Sequence, residues 1–201
     1  MEFTYGLMIA IGLVTYFAWQ KPELHRKLML NPYNTVYKRQ VYRLFTSGFV
    51  HNSSIHLFLN LFTLYFFGGA MEKIFAVHFG MLGYAYFLLL FLTAIIVSNI
   101  PTTIKYRNQP HYNSLGASGG VSALVLAFIL FDPIQELCLY IFICLPGYIL
   151  GAIFIGYSIF MGKRGKDNIN HDAHLYGALY GLLFILILKP STLESFIKMV
   201  F

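Results

Sequence analysis

Two short strings carry side chains that could do chemistry. Gly116-Ala117-Ser118-Gly119 offers a hydroxyl among small residues. Ala173-His174-Leu175-Tyr176-Gly177-Ala178-Leu179-Tyr180-Gly181 offers an imidazole. Each sits near the start of an apolar segment that could lie in a membrane. Polar groups are costly in hydrocarbon, so a serine and a histidine at that depth point to function. Together they read as a nucleophile and its base. Serine alone also serves as packing glue between membrane helices, so the argument rests on the pairing.

The elements that must position them follow from composition. The chain of 201 residues is 58% hydrophobic and 11% charged, which excludes disorder and speaks against a soluble domain. Six stretches lack Asp, Glu, Lys and Arg: 3–19, 55–71, 79–99, 114–131, 137–160 and 173–188. A span needs about 17–25 residues and must satisfy its own backbone, so these read as helices. The expected fold is an all-α membrane protein, a six-transmembrane-helix bundle forming one domain over 1–201, with no sizeable soluble appendage. The first stretch reads as a retained helix. It lacks a basic start, and no small-x-small cleavage site follows Trp19. Cys138 and Cys144 lie six apart within one apolar stretch. On a helix that spacing is too great for a disulfide, so both read as packing residues. The net charge of +6 is spread over loops and implies no nucleic acid.

The connection 20–54 is the one long loop. It mixes Pro22, Asn31, Pro32 and Asn34 with many apolar residues, as a folded, interfacial segment would. Short turns are expected at 72–78 and 132–136, and polar loops at 100–113 and 161–172. No repeat or domain boundary is visible.

The second, fourth and sixth stretches run in the same direction, because an even number of crossings separates them. His56, Asn60, Ser118 and His174 then lie within roughly 10 Å of one membrane face, at 1.5 Å rise per residue. His174, Gly177 and Gly181 share one helical stripe, and Ser118 is surrounded by Gly116, Ala117, Gly119, Gly120 and Ala123. Small residues let helix backbones approach closely. Packing these two surfaces together would carry His174 toward Ser118. Asn60 follows His56 at i+4, so both can face one pocket.

Neighbouring polar residues have plainer readings. His171 reads as a solvated cap residue, His51 as structural or interfacial, and Ser122 as packing. Asp172 lies about 200° around the helix from His174 and cannot orient it, which favours a dyad over a triad. Glu72 reads as holding helix-terminus or loop groups, and Arg43 as a donor to backbone carbonyls. Zinc needs three or four convergent ligands. His-Glu-x-x-His is absent and the apolar stretches hold no carboxylate, so no metal site is expected.

Five motifs occur in order along the chain: Tyr42-Arg43, His56-x-x-x-Asn60, Gly68-Gly69-x-x-Glu72, Gly116-x-Ser118-Gly119, and Ala173-His174-x-x-Gly177-x-x-x-Gly181. In these the chain resembles the rhomboid family of intramembrane serine proteases, over nearly its whole length. Tyrosine stands where the aromatic-Arg motif usually has tryptophan. The resemblance implies that Ser118 is the nucleophile and His174 the general base. It implies that His56 and Asn60, with backbone amides near Ser118, stabilise the oxyanion. Arg43, Glu72, Gly116, Gly119, Gly177 and Gly181 would be structural support. The family often has an aromatic four residues after the nucleophile to pack on the histidine. Here that residue is Ser122, so support for His174 must come from elsewhere. The absence of a seventh helix looks like the basic bacterial form, hence a multi-pass protein of the bacterial cytoplasmic (inner) membrane.

Loop charge points the other way from the family's usual orientation, in which the site opens to the extracytoplasmic side. Six Lys and Arg lie in 20–54, two in 100–113 and three in 161–172, against three on the opposite face. The positive-inside rule would turn the site to the cytoplasm. The expected function is an intramembrane serine endopeptidase acting on transmembrane segments of membrane proteins, with the lipid bilayer and those substrates as partners and no cofactor. The alternatives are a catalytically silent rhomboid-like protein that binds transmembrane clients, and a small transporter. A transporter predicts internal repeats and broken helices, which the sequence lacks. With no zinc ligand set, chelators should leave cleavage unchanged. Inhibition by o-phenanthroline that added zinc reverses would contradict this.

Overall fold

The computed structural model describes all residues except 140–142, 166 and 168. Parts of the expected stretch 137–160 and of the loop 161–172 therefore lie outside the described residues. Helix α1 (Glu2–Gln20) ends just before Pro22, which opens the next helix at a position where a missing N–H costs nothing. The long connection is folded, as its composition predicts. It contains α2 (Pro22–Leu28), α3 (Pro32–Tyr37), α4 (Arg43–Thr46) and a 3₁₀ turn, Ser47–Phe49. Asn31 caps α3 by accepting from the Asn34 N–H at 2.8 Å. Buried Arg43 binds the loop together: its Nη1 donates to the carbonyls of Arg26 (2.8 Å) and Met29 (2.7 Å). Thr46 Oγ1 donates to Leu28 O at 2.9 Å.

Helix α5 (Ser54–Thr63), a π-helical turn (Leu64–Gly68) and α6 (Gly69–Phe79) form one continuous rod. The turn expected at 72–78 is helical instead. The charge on Glu72 suggested a loop, but the residue is 1% exposed. Its carboxylate accepts from Thr4 N (2.9 Å) and Thr4 Oγ1 (2.6 Å) and lies 3.1 Å from the Met1 amino group. The uncapped first turn of α1 thus satisfies the charge.

Helix α7 (Met81–Tyr106) runs past Pro101, where the sequence reading ended it. Side chains of the same helix add bonds beside it, Asn99 Nδ2 donating to Ile95 O (3.0 Å) and Thr103 Oγ1 to Asn99 O (2.8 Å). Helix α8 (Ser118–Phe131) follows. The expected helix 137–160 begins instead as an antiparallel hairpin, β1 (Glu136–Leu139) with β2 (Ile143–Pro146). Helix α9 (Gly147–Arg164) starts only after it. In the hairpin register Cys138 faces Cys144, and the two form a disulfide. The packing assignment of these cysteines is thereby corrected. Six residues separate a pair on a helix but bring it face to face across a two-stranded turn. Helix α10 (His171–Leu188) and an unexpected α11 (Ser191–Val200) complete the chain. Lys189, Glu194 and Lys198 kept this last helix out of a search for uncharged stretches.

Four helical stretches among the described residues are long and apolar enough to cross a membrane: Glu2–Gln20, Ser54–Phe79, Met81–Tyr106 and His171–Leu188. Helix α8 is apolar but only 14 residues long, and ten of those are buried. A helix that is apolar all round belongs in a core. It packs against α7 and α10, with Leu124, Phe91, Phe87 and Ile185 in the fully buried cluster.

The α8–α10 contact is backbone on backbone. A Cβ on Gly177 would collide with the carbonyl of Gly119, and one on Gly181 with that of Ala123. These obstacles are main chain and cannot swing aside. Overpacking a core costs roughly 1–3 kcal/mol even when side chains can move. Gly181→Val should therefore destabilise the protein by about 3 kcal/mol or more, read as lost resistance to heat or SDS. Gly156→Ala meets nothing within 4 Å and should leave stability unchanged or slightly raised. Equal stabilities of the two variants would contradict the contact.

Candidate active site

The site is assembled at the end where α5, α8 and α10 begin. The segment leading into α8 is held from two sides. Ser114 pairs with Leu30 through two backbone bonds of 2.9 and 3.0 Å. Gly116 N–H donates to Ser47 O at 2.9 Å. Gly116 adopts φ +116°, a conformation side chains rarely take, and a Cβ there would lie 2.8 Å from ring atoms of His56. Glycine is thus required both by the turn and by the imidazole beside it. Ser118 is the first residue of α8 and is half-buried. The N–H groups of Gly116 and Ala117 are taken up. Among the described residues no acceptor meets those of Ser118 and Gly119, and no side chain caps the helix. These amides and the helix dipole face whatever approaches Ser118.

His174 stands in the first turn of α10, half-buried. Asn170 caps that turn: its Oδ1 accepts from Ala173 N–H (3.1 Å) and from Thr102 Oγ1 (2.9 Å), and its Nδ2 donates to Ser114 Oγ at 2.9 Å. One amide thus ties the start of α10 to α7 and to the segment that leads into Ser118. Gly119, next to Ser118, faces Ala173 and Gly177, which flank His174 along α10. The two small surfaces are packed together.

The aromatic support missing at Ser122 comes from α9. The ring of Phe154 stacks over His174, centroids 6.2 Å apart and tilted 21°. Phe154 was not singled out from the sequence. Its signal was there in the stripe Gly147, Gly151, Ser158, all buried, which places 154 on the inner face of the helix.

His56 is half-buried beside Gly116, and Asn60 is 6% exposed. Asn60 Nδ2 donates to His56 O at 2.9 Å, and its second hydrogen meets no acceptor among the described residues. His51 is fully buried, and its hydrogen bonds define its state. Thr15 Oγ1 gives its proton to Phe49 O (3.0 Å), so His51 Nδ1–H donates to Thr15 Oγ1 (3.0 Å). Nε2 is then the acceptor for Ala117 N–H at 3.3 Å. Only the neutral ring can make both contacts. Burial, and then His56 edge-on at 4.9 Å, push its pKa down to about 3. His51 is structural and binds the residue just before Ser118.

Arg43 and Glu72 lie in the loop and the α1 contact already described. Asp172 does not serve His174, because its carboxylate meets Lys105 Nζ at 2.7 Å. His171 is not the solvated cap expected of it. It is 4% exposed and bonded to Asp167. The sequence reading placed it at a polar loop end, but α9 covers it with Tyr157. Among the described residues no three His, Cys, Asp or Glu side chains gather as a metal site.

The family model of the Rhomboid domain matches residues 38–191, and the chain belongs to that family. It is 33% identical over 185 residues to RHOMBOID-like protein 12, mitochondrial, of Arabidopsis thaliana, covering 86% of this chain and 54% of that protein. It is 28% identical over 186 residues to the Presenilin-associated rhomboid-like protein, mitochondrial, of Rattus norvegicus, covering 89% and 46%. The Homo sapiens protein of that name is 27% identical over the same length, with the same coverage. The chain thus spans about half the length of these relatives. Their mitochondrial names overturn the assignment to a bacterial inner membrane. That assignment rested on counting helices, and a helix count carries no information about the organelle.

The neutral His51 sets a pH dependence. Its folded pKa lies below the unfolded value of 6.5, so between the two the unfolded chain binds more protons and stability falls as pH falls. Thermal stability should decline below about pH 6.5, and less steeply in His51→Gln. The same slope in both proteins would contradict this account of the ring.

Proposed function

We propose that this chain is an intramembrane serine endopeptidase that cuts transmembrane segments with a Ser118–His174 dyad. What supports this most is the glycine contact between α8 and α10, with Ser118 and His174 on the residues beside it, at a helix start whose amides lack acceptors. Six crossings would enclose the site, the four long helices together with α8 and α9. Helix α8 is about 21 Å long at 1.5 Å per residue, shorter than the roughly 30 Å hydrocarbon layer. Ser118 would then lie below the membrane surface, in a cavity that water enters from one face. The mitochondrial relatives favour a mitochondrial membrane as the setting.

In the reaction Ser118 Oγ attacks the scissile carbonyl while His174 takes its proton. The tetrahedral oxyanion is met by the N–H groups at the start of α8, by the remaining Asn60 hydrogen and by His56. His174 then passes the proton to the leaving amine, and water, activated by the same imidazole, releases the acyl group. Fixed donors stabilise such charge more in a site poor in water than in solvent. A substrate helix hides its carbonyls in its own hydrogen bonds. Small or helix-breaking residues at the cut should therefore favour cleavage.

Ser118→Ala and His174→Ala should each lower cleavage of a transmembrane reporter by about 10⁴-fold or more in purified, folded protein. Asp172→Asn should change it little. His56→Ala or Asn60→Ala should lower kcat by roughly 10–10³-fold, with KM changed less. Cleavage retained within about tenfold in either dyad variant would withdraw the dyad, and no cleavage by the unmodified chain would withdraw the protease and leave a client-binding protein. A rise in KM alone for the His56 and Asn60 variants would move those residues to substrate binding.

A further inference from the structure

His171 is a buried imidazole that the mechanism above does not use. It lies one turn before His174 on α10, rings 5.9 Å apart and nearly perpendicular. Its Nε2 is 3.0 and 3.1 Å from the two carboxylate oxygens of Asp167. Chiefly by that hydrogen bond, the Asp167 carboxyl is held below its usual range. An ionised carboxylate only accepts, so Nε2 carries the proton and donates. A neutral ring then leaves Nδ1 as a bare acceptor, buried and without a partner among the described residues. Buried polar atoms without partners are uncommon and call for an explanation.

The surroundings limit what else could act on this ring. Tyr157 of α9 meets it edge-on at 5.6 Å. Asp172 is engaged with Lys105 of α7. Among the described residues, the other imidazole that meets it is His174, on the same helix. A carboxylate thus fixes one imidazole, and that imidazole borders a second at the position where positive charge develops during acylation.

We propose that Asp167 and His171 are positioning residues that act through His174: the anchored ring of His171 fixes the orientation of the base, and the Asp167 carboxylate behind it favours the imidazolium. The arrangement supplies, through one intervening ring, what a triad carboxylate supplies by direct contact. It explains how a dyad whose nearest acid in sequence, Asp172, is engaged elsewhere still holds a defined base. The inference rests on the protease reading and deepens it.

The test uses Asp167→Asn, which keeps the shape of an exposed residue and removes its charge, and His171→Phe, which keeps a ring and removes both nitrogens. For each, kcat and KM on a transmembrane reporter, the pH profile of kcat, and thermal stability are measured in the full chain. Removing the negative charge makes the imidazolium less favourable, so the acid limb of the profile should move to lower pH. kcat should fall roughly 10-fold in Asp167→Asn with KM within about twofold. The double variant should be little worse than His171→Phe, because both residues act through one ring. An acid limb that stays in place in Asp167→Asn, with only thermal stability lowered, would overturn the proposal and leave the pair as a loop fastening. Failure of the protease reading looks different: the unmodified chain would then cleave no reporter, or Ser118→Ala would cleave as well as it does, whatever the Asp167 variant does.

Discussion

The structure depends on two places where α10 lies directly against the backbone of α8, at Gly177 on Gly119 and at Gly181 on Ala123. Dispersion and shape hold such a contact in a medium where no hydrophobic force drives helices together. Because the facing groups are main-chain carbonyls, the register of the two helices cannot drift by a side-chain rotation. Ser118 precedes one glycine of the contact, and His174 lies one turn before the other. The spacing of Ser118 and His174 is therefore set by packing that contains neither of them. Surrounding elements reinforce this one interface. Asn170 ties the start of α10 to Ser114 and Thr102, and Leu30 pairs with Ser114. Arg43 in turn holds the segment that carries Leu30.

Polar residues at the same end are set apart by their neighbours. His51 is held neutral between Thr15 and the Ala117 amide and keeps the entry to α8 in place. His56 leans on Gly116, where no side chain could fit. His174 is packed by Phe154 on one side and His171 on another. Four imidazoles within one cluster thus have four different neighbours, and the neighbours, more than the residue type, set what each can do.

Much of this was legible in the sequence where a pattern was periodic or local. The stripe His174, Gly177, Gly181 gave the helix face and its partner, and uncharged stretches gave the long helices. Other features were hidden for physical reasons. The hairpin around Cys138 and Cys144 is as apolar as a helix, and only its register brings the cysteines together. Glu72 and Pro101 looked like helix ends, but the first turn of α1 satisfies the charge of Glu72, and α7 continues through Pro101. His171 looked solvated beside polar loop residues, and its burial depends on the chain reversing so that Tyr157 of the preceding helix lies against it. Phe154 was invisible as a contact because nothing local links it to His174.

The most direct measurement is a structure of the protein after reaction with a fluorophosphonate, which traps a phosphorylated serine that stands in for the tetrahedral intermediate. The account predicts a single adduct on Ser118 Oγ. Its phosphoryl oxygen should lie within hydrogen-bond distance of the Ser118 amide and of His56 or Asn60, with the His174 ring still stacked on Phe154. An adduct on another residue, or one whose oxygen points away from α5 and the start of α8, would contradict the assignment of nucleophile and oxyanion donors.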